Sequence, residues 1–168
     1  MSEVGNSAPV AIRSLGGKYF TFKLGNEEYG VEILKVREII GLMSVTEVPK
    51  TPEHVRGVIN LRGKIIPVLD IRIKFGLTTA EDTANTCIIV IDVEHQGSQI
   101  QIGTVVDSVC EVLDIAEEDI EMAPSFGGSL ECRFIRGIAK MGESVKILLE
   151  IEDVLTSEDL QSIGQDGN

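Results

Sequence analysis

Residues 56–72 read RGVINLRGKIIPVLDIR, and this stretch decides the predicted fold. Apolar residues from Val58 to Leu61 and from Ile65 to Ile71 flank Gly63, a pattern typical of two strands joined by a tight turn. Residues 136–151 read RGIAKMGESVKILLEI and follow the same order of arginine, glycine, apolar strand, turn and apolar strand. The sequence therefore predicts a strand pair that occurs twice.

Beyond this stretch as well, the second half of the chain repeats the order of residue types found in the first half. When Gly30 is aligned with Gly103, similar residue types coincide without a gap. The aligned pairs are Ile33 with Val106, Val36 with Val109, Glu38 with Glu111 and Ile39 with Val112. Further along the chain, and outside this ungapped alignment, Asp70–Ile71 correspond to Glu150–Ile151. Chance similarity between two β-rich segments is the competing interpretation, and the ordered matches disfavour it. We therefore interpret the chain as an internal repeat.

A repeat unit of about five short strands is best closed into a barrel, because closure leaves no open edge strands. We expect an all-β protein of two five-stranded barrels packed side by side. Short accessory helices are predicted from Leu34 to Ile40, ended by Gly41, and after Thr51–Pro52. The predicted boundaries are flexible tails at 1–16 and 161–168, a first half at 17–82 and a second at 83–160, with strands able to exchange between the halves.

The composition of the chain points to protein partners. Among 168 residues, 27 acidic and 15 basic side chains give a net charge of −12, which disfavours nucleic acid and anionic membrane surfaces. The first residues do not pair a basic start with an apolar run, and the apolar stretches are only strand-length. We therefore expect a cytoplasmic protein without direct membrane insertion.

The motifs required for common chemistries are missing from the sequence. Cys87, Cys110 and Cys132 are odd in number and widely spaced, and His54 and His95 are the only histidines. The segment from Gly57 to Lys64 is one residue too long for a phosphate-binding loop and lacks the following hydroxyl residue. The sequence predicts no metal site, no cofactor and no catalytic residues.

Arg62 stands out because residues 56–72 are locally basic in an acidic chain. One interpretation is an ordinary outward-facing residue on a hairpin, whose glycines serve only the turn. The other is that the guanidinium makes forked hydrogen bonds to acidic or carbonyl groups of a partner. A groove between two barrels suits a partner helix, or alternatively a small molecule. The small-molecule interpretation is weakened by an aromatic content of 4% and the absence of tryptophan.

From Tyr19 to Leu160 the sequence resembles the CheW family of bacterial chemotaxis coupling proteins. Four segments carry the resemblance: FKLGNEEYGVEILKVREII (22–40), TPEHVRGVINLRGKIIPVLDIRIKF (51–75), GTVVDSVCEVL (103–113) and RGIAKMGESVKILLEIEDVL (136–155). The resemblance implies two SH3-like barrels and no catalytic activity. It also implies an adaptor that couples transmembrane methyl-accepting chemotaxis proteins to the histidine kinase CheA, recruited from the cytoplasm to membrane-associated receptor arrays.

The resemblance further implies two binding surfaces. The receptor-binding groove, which would hold the cytoplasmic tip of the chemoreceptor, comprises Val36, Glu38, Gly57, Asn60, Arg62, Gly103, Val109 and Val112. The kinase-binding surface, which would meet the regulatory domain of CheA, comprises Gly41, Leu42, Met43, Ser44, Val45, Ile65, Ile66 and Val68. A Gly57→Arg substitution is expected to block docking by bulk while the barrel stays folded.

Overall fold

The structure is a computed structural model that describes residues 15–77, 81–122 and 134–155. The strands are β1 Gly17–Leu24, β2 Glu27–Glu32, β3 Val36–Gly41, β4 Val55–Leu61, β5 Lys64–Asp70, β6 Cys87–His95, β7 Ser98–Val106, β8 Ser108–Ile115, β9 Ile120–Glu121, β10 Ile135–Met141 and β11 Ser144–Leu149. Two four-residue helices, α1 Ile71–Lys74 and α2 Ile151–Val154, follow β5 and β11, and 3-10 turns lie at Ile33–Lys35 and Glu117–Asp119. The predicted all-β class is confirmed.

The strands form two sheets, each of which takes strands from both halves of the sequence. The six-stranded sheet has the order β8-β1-β2-β11-β10-β9, and the five-stranded sheet has the order β3-β6-β7-β5-β4. Each sheet contains one parallel pair, β2 with β11 and β5 with β7, and its other pairs are antiparallel. Strands β1 and β2 thus join the second-half strands, while β6 and β7 join the first-half strands.

The two strand orders confirm the internal repeat. In the parallel pairs, Gly30 lies opposite Leu148 and Gly103 lies opposite Val68, so the two aligned glycines occupy equivalent places. The two sheets also close in equivalent ways. Thr46 pairs with Val58 of β4 through two backbone hydrogen bonds of 2.9 Å, and β9 pairs with β10 in the other sheet. Each sheet therefore curls back on itself, as a barrel requires.

The two sheets share the largest apolar core. Phe22, Tyr29 and Val31 from the six-stranded sheet belong to one buried cluster with Leu69 and Ile89 from the five-stranded sheet. A second cluster around Ile59, Ile66 and Val68 fills the five-stranded sheet, and a third around Tyr19 and Leu148 fills the six-stranded sheet. A core that spans both sheets holds them together as one unit.

Two predicted helices are wrong. Residues Val36–Gly41 form strand β3, in which half-buried and exposed residues alternate strictly. The β-branched Val36, Ile39 and Ile40 favour a strand, and antiparallel pairing with β6 provides the hydrogen bonds that a short helix could not. Residues 51–54 form a turn, in which the Val55 amide donates to the Pro52 carbonyl at 2.9 Å.

Candidate functional site

Arg62 lies in the two-residue turn between β4 and β5. Its φ is +54° and that of Gly63 is +87°, the two left-handed residues that a type I′ hairpin turn needs. The Gly63 amide donates to the Asn60 side-chain oxygen at 2.8 Å, which fixes the turn. The Arg62 side chain is 68% exposed and forms an ion pair with Glu38 on β3. The turn thus presents a charged pair at the surface, between β3 at one end of the five-stranded sheet and the β4–β5 hairpin at its other end.

The structure brings together some of the predicted groove residues and separates others. Val36 opens β3, is half-buried and packs against the shared core. Val109 and Val112 are 37% and 48% exposed on β8, which lies at the start of the other sheet. Because β3 and β8 are repeat equivalents, the exposed valines of β8 match Val36 and Ile39 in β3. Glu38 contacts Arg62 directly, whereas Val109 and Val112 belong to a different sheet.

Gly57 and Gly103 are buried and cannot present a docking surface. A Cβ on Gly57 would lie 2.0 Å from the Thr46 carbonyl oxygen, and the Gly57 φ of +137° is unfavourable for other residues. A Cβ on Gly103 would lie 2.7 Å from Cγ2 of Ile88. Both glycines allow close packing inside the five-stranded sheet. The expectation that Gly57→Arg leaves the barrel intact is therefore wrong, since an arginine there collides with the closing Thr46–Val58 bridge.

The predicted kinase-binding surface is also divided by the structure. Gly41, Met43 and Ser44 are exposed, Leu42 and Val45 are half-buried, and Ile65 is 61% exposed. Ile66 and Val68 are only 1% and 0% exposed and belong to the core of the five-stranded sheet. Their placement at the surface is corrected, because alternate residues of β5 point inward. Sequence reasoning missed Ile39, a 41% exposed residue on β3, because that segment was read as a helix.

A buried ion network at the end of β5 was also missed. The Arg72 side chain is only 3% exposed and donates to Asp70 at 2.8 and 2.9 Å, to Asp107 at 2.7 Å and to Asp82 at 3.1 Å. Arg56 donates to Asp70 at 3.1 Å and to Asp82 at 3.0 Å. Every buried charge of the network is thus paired, as burial requires. The signal in the sequence was the charged Asp70 and Arg72 at the end of an apolar strand.

The network shifts the ionisation of its members. The hydrogen bonds that Arg72 donates to Asp70, and then to Asp107 and Asp82, raise the pKa of its guanidinium above the ordinary value despite burial. The hydrogen bond from Arg56 lowers the pKa of the Asp82 carboxyl, with a smaller contribution from Arg72. Both shifts favour the charged forms of Arg72 and Asp82.

The described residues provide little support for a metal site or a nucleophilic cysteine. Within residues 15–77, 81–122 and 134–155, His, Cys, Asp and Glu form no group of three or more that could hold a metal ion. Cys110 is exposed, and desolvation raises the pKa of its thiol, which makes it a poorer nucleophile at neutral pH. Cys132 lies outside the described residues. No helix in the described part of the chain has the length and apolarity needed to cross a membrane.

Comparisons with known proteins agree with this architecture. Residues 18–159 match the family model of the CheW-like domain. The chain is 39% identical over 160 residues to the chemotaxis protein CheW of Klebsiella aerogenes, covering 95% of this chain and 94% of the relative. It is 33% identical over 147 residues to the chemotaxis protein CheW of Rhizobium meliloti, covering 88% and 92%.

A solved structure is similar over nearly its full length. The crystal structure of the scaffolding protein TtCheW from Thermoanaerobacter tengcongensis matches with a TM-score of 0.76 and 34% identity, covering 86% of this chain and 96% of that chain. The family match, the sequence relatives and this structure all extend over both sheets. The chain therefore belongs to the CheW-like domain family.

Proposed function

We propose that this protein is a non-catalytic adaptor that couples the cytoplasmic tips of chemoreceptors to the histidine kinase CheA. Family membership and relatives named as chemotaxis and scaffolding proteins support an adaptor role in chemotaxis. The observation that carries the finer proposal is the exposed Arg62–Glu38 pair beside exposed apolar residues on β3 and β5. Such a combination is typical of a surface that recognises another protein.

The receptor-binding groove in this proposal omits the two buried glycines, Gly57 and Gly103. Its residues are Val36, Glu38, Asn60, Arg62, Val109 and Val112. The Arg62 guanidinium is largely exposed, so its bond to Glu38 contributes little to folding and is available for exchange with a carboxylate or carbonyl of the receptor. The valines supply apolar contact area to the receptor helix.

The kinase-binding surface in this proposal lies on the five-stranded sheet and on the segment that directly follows β3. It consists of residues 41–45 together with Ile39 and Ile65. Ile65 is 61% exposed, whereas the neighbouring Ile66 on the same strand is buried. We place the protein in the cytoplasm at membrane-associated receptor arrays, with residues 17–160 as the functional domain.

The test is a binding experiment with two purified partners, a receptor cytoplasmic fragment and the regulatory domain of CheA. Arg62→Ala is expected to weaken receptor binding at least tenfold and to leave kinase binding unchanged. Ile65→Ser is expected to produce the opposite pattern. Gln99→Ala, an exposed substitution in the β6–β7 hairpin, is the matched control and should change neither affinity. Wild-type protein that binds neither partner contradicts the proposal.

A further inference from the structure

The chain crosses between the two sheets at two repeat-equivalent points. It leaves the six-stranded sheet after β2, passes through the turn Ile33–Lys35 and enters the five-stranded sheet at β3. It returns through Asp107, between β7 and β8. Each crossing directly precedes a strand of the proposed receptor-binding groove, because β3 carries Val36 and Glu38 and β8 carries Val109 and Val112.

The second crossing is fixed by Arg72. The Arg72 guanidinium on α1, which follows β5 in the five-stranded sheet, donates to Asp107 Oδ1 at 2.7 Å. The other carboxylate oxygen of Asp107 accepts from the Gly25 amide at 2.6 Å, and the Asp107 amide donates to the Lys23 carbonyl at 3.0 Å. Gly25 and Lys23 belong to the β1–β2 hairpin of the six-stranded sheet. This contact therefore ties one sheet to the other at the start of β8.

The first crossing is fixed by the repeat equivalent of Arg72, with the charges reversed. Glu152 is the second residue of α2, as Arg72 is the second residue of α1. Its carboxylate pairs with Lys35 at 3.0 Å, directly before β3, and also accepts from the Glu94 amide of β6 at 3.3 Å. Here a helix that follows the six-stranded sheet holds the entry into the five-stranded sheet.

We propose that these two ion pairs, Arg72–Asp107 and Lys35–Glu152, position the walls of the receptor-binding groove, β8 and β3, relative to each other. The shared apolar core supplies attraction between the sheets, but apolar contact is non-directional. Hydrogen-bonded ion pairs have a defined geometry and therefore select one arrangement of the sheets. The four residues are positioning residues that act through β3 and β8, and this role rests on the proposed function.

The more exposed pair allows a charge-swap experiment. Lys35 and Glu152 are 29% and 37% exposed, so reversed charges are tolerated there, unlike at buried Arg72. Lys35→Glu and Glu152→Lys each leave two like charges at the crossing, and the double variant restores an opposite pair. Each single variant is expected to bind a receptor cytoplasmic fragment about tenfold more weakly, because the competent arrangement is less populated. The double variant should recover most of the affinity, and binding of the CheA regulatory domain should stay within twofold throughout.

A second readout does not depend on any partner. Nitroxide labels on Ser44→Cys, in the segment that follows β3 of the five-stranded sheet, and on Ser144→Cys, in β11 of the six-stranded sheet, report the distance distribution between the sheets in a chain whose other cysteines are replaced. The distribution should broaden in both single variants and narrow again in the double variant.

An unchanged distance distribution overturns the inference, as does a double variant that binds the receptor fragment as weakly as the single variants. Equal losses of receptor and kinase binding with a lowered melting temperature would show a purely structural role and also overturn it. If the wild type binds no receptor but the distributions change as expected, the proposed function fails and the positioning role stands.

Discussion

At the scale of single residues, Arg62 combines an unfavourable backbone conformation with an exposed side chain. A left-handed conformation costs a non-glycine residue about 1 kcal/mol, and asparagine tolerates it better than arginine. The exposed pair with Glu38 offsets little of this cost, since surface ion pairs contribute about 0–1 kcal/mol. Folding alone therefore does not account for arginine at this turn, which agrees with a role in binding.

Arg62→Asn should stabilise the fold while it weakens receptor binding. We expect the free energy of unfolding to rise by about 0.5–1 kcal/mol, because asparagine suits the first position of a type I′ turn. Arg62→Ala, which removes the same ion pair without this benefit, serves as the control and should change stability by less than about 0.5 kcal/mol. Urea denaturation of the three proteins provides the comparison. A loss of more than about 1 kcal/mol in Arg62→Asn would assign Arg62 to folding instead.

Asp82 should make a pH-dependent contribution to stability. Its pKa in the folded protein is lowered from the ordinary value of 3.8, chiefly by the hydrogen bond from Arg56. The unfolded chain therefore binds the Asp82 proton more tightly, so this stabilisation is complete above the unfolded pKa and is lost as the pH falls through the folded pKa. We expect the wild type to exceed Asp82→Asn in free energy of unfolding at pH 6 and the difference to shrink below about pH 4. Urea denaturation from pH 3 to 7 measures this difference in free energy of unfolding. A difference that stays constant over this range contradicts a lowered pKa of Asp82.

At the scale of secondary-structure elements, the sequence pattern predicted strands well and short helices poorly. The glycine turns and alternating apolar residues of β4, β5, β10 and β11 are local signals, and all four strands are present. Strand β3 was misread because Val36, Ile39 and Ile40 fit a helical spacing as well, and only its pairing with β6 decides the outcome. The inward direction of Ile66 and Val68 likewise depends on packing that no local pattern contains.

The three glycines near the barrel closures should differ sharply in their tolerance of alanine. Gly57→Ala places its Cβ 2.0 Å from a backbone oxygen at a positive φ, so we expect a loss of about 3 kcal/mol or more. At the repeat-equivalent Gly137, the added Cβ meets Cγ2 of the Ile120 side chain at 2.7 Å instead of a backbone oxygen, and about 1–2 kcal/mol is expected. Gly41 has open space around it, so Gly41→Ala should stay within about 0.5 kcal/mol. Chemical denaturation gives the free energy of unfolding of the three variants. Equal losses of stability in Gly57→Ala and Gly41→Ala would contradict closure of the sheet by Thr46.

At the scale of the whole molecule, the repeat predicted two similar units but not which residues join them. A row of aromatic rings forms part of the contact between the two sheets. Phe22 and Tyr29 of the six-stranded sheet continue to Phe75, which follows α1, and to Phe134, with centroid separations of 6.2, 6.0 and 5.8 Å. Isolated aromatic residues in the sequence carry no signal that they stack, because their contacts connect positions far apart along the chain. The contact between the two sheets thus depends on interactions that only the folded structure reveals.

This shared row of rings makes cooperative unfolding of the two sheets the expected behaviour. Phe75→Ala removes a ring that contacts both Tyr29 and Phe134, so we expect a loss of about 3 kcal/mol for the molecule as a whole. Amide hydrogen exchange should then rise by a similar factor in β6 of the five-stranded sheet and in β10 of the six-stranded sheet, because both open in the same event. Ile65→Ala, at a largely exposed position, is the matched control and should leave exchange nearly unchanged. Faster exchange confined to β6 would mean that the sheets unfold independently, and the core would then join two separate domains.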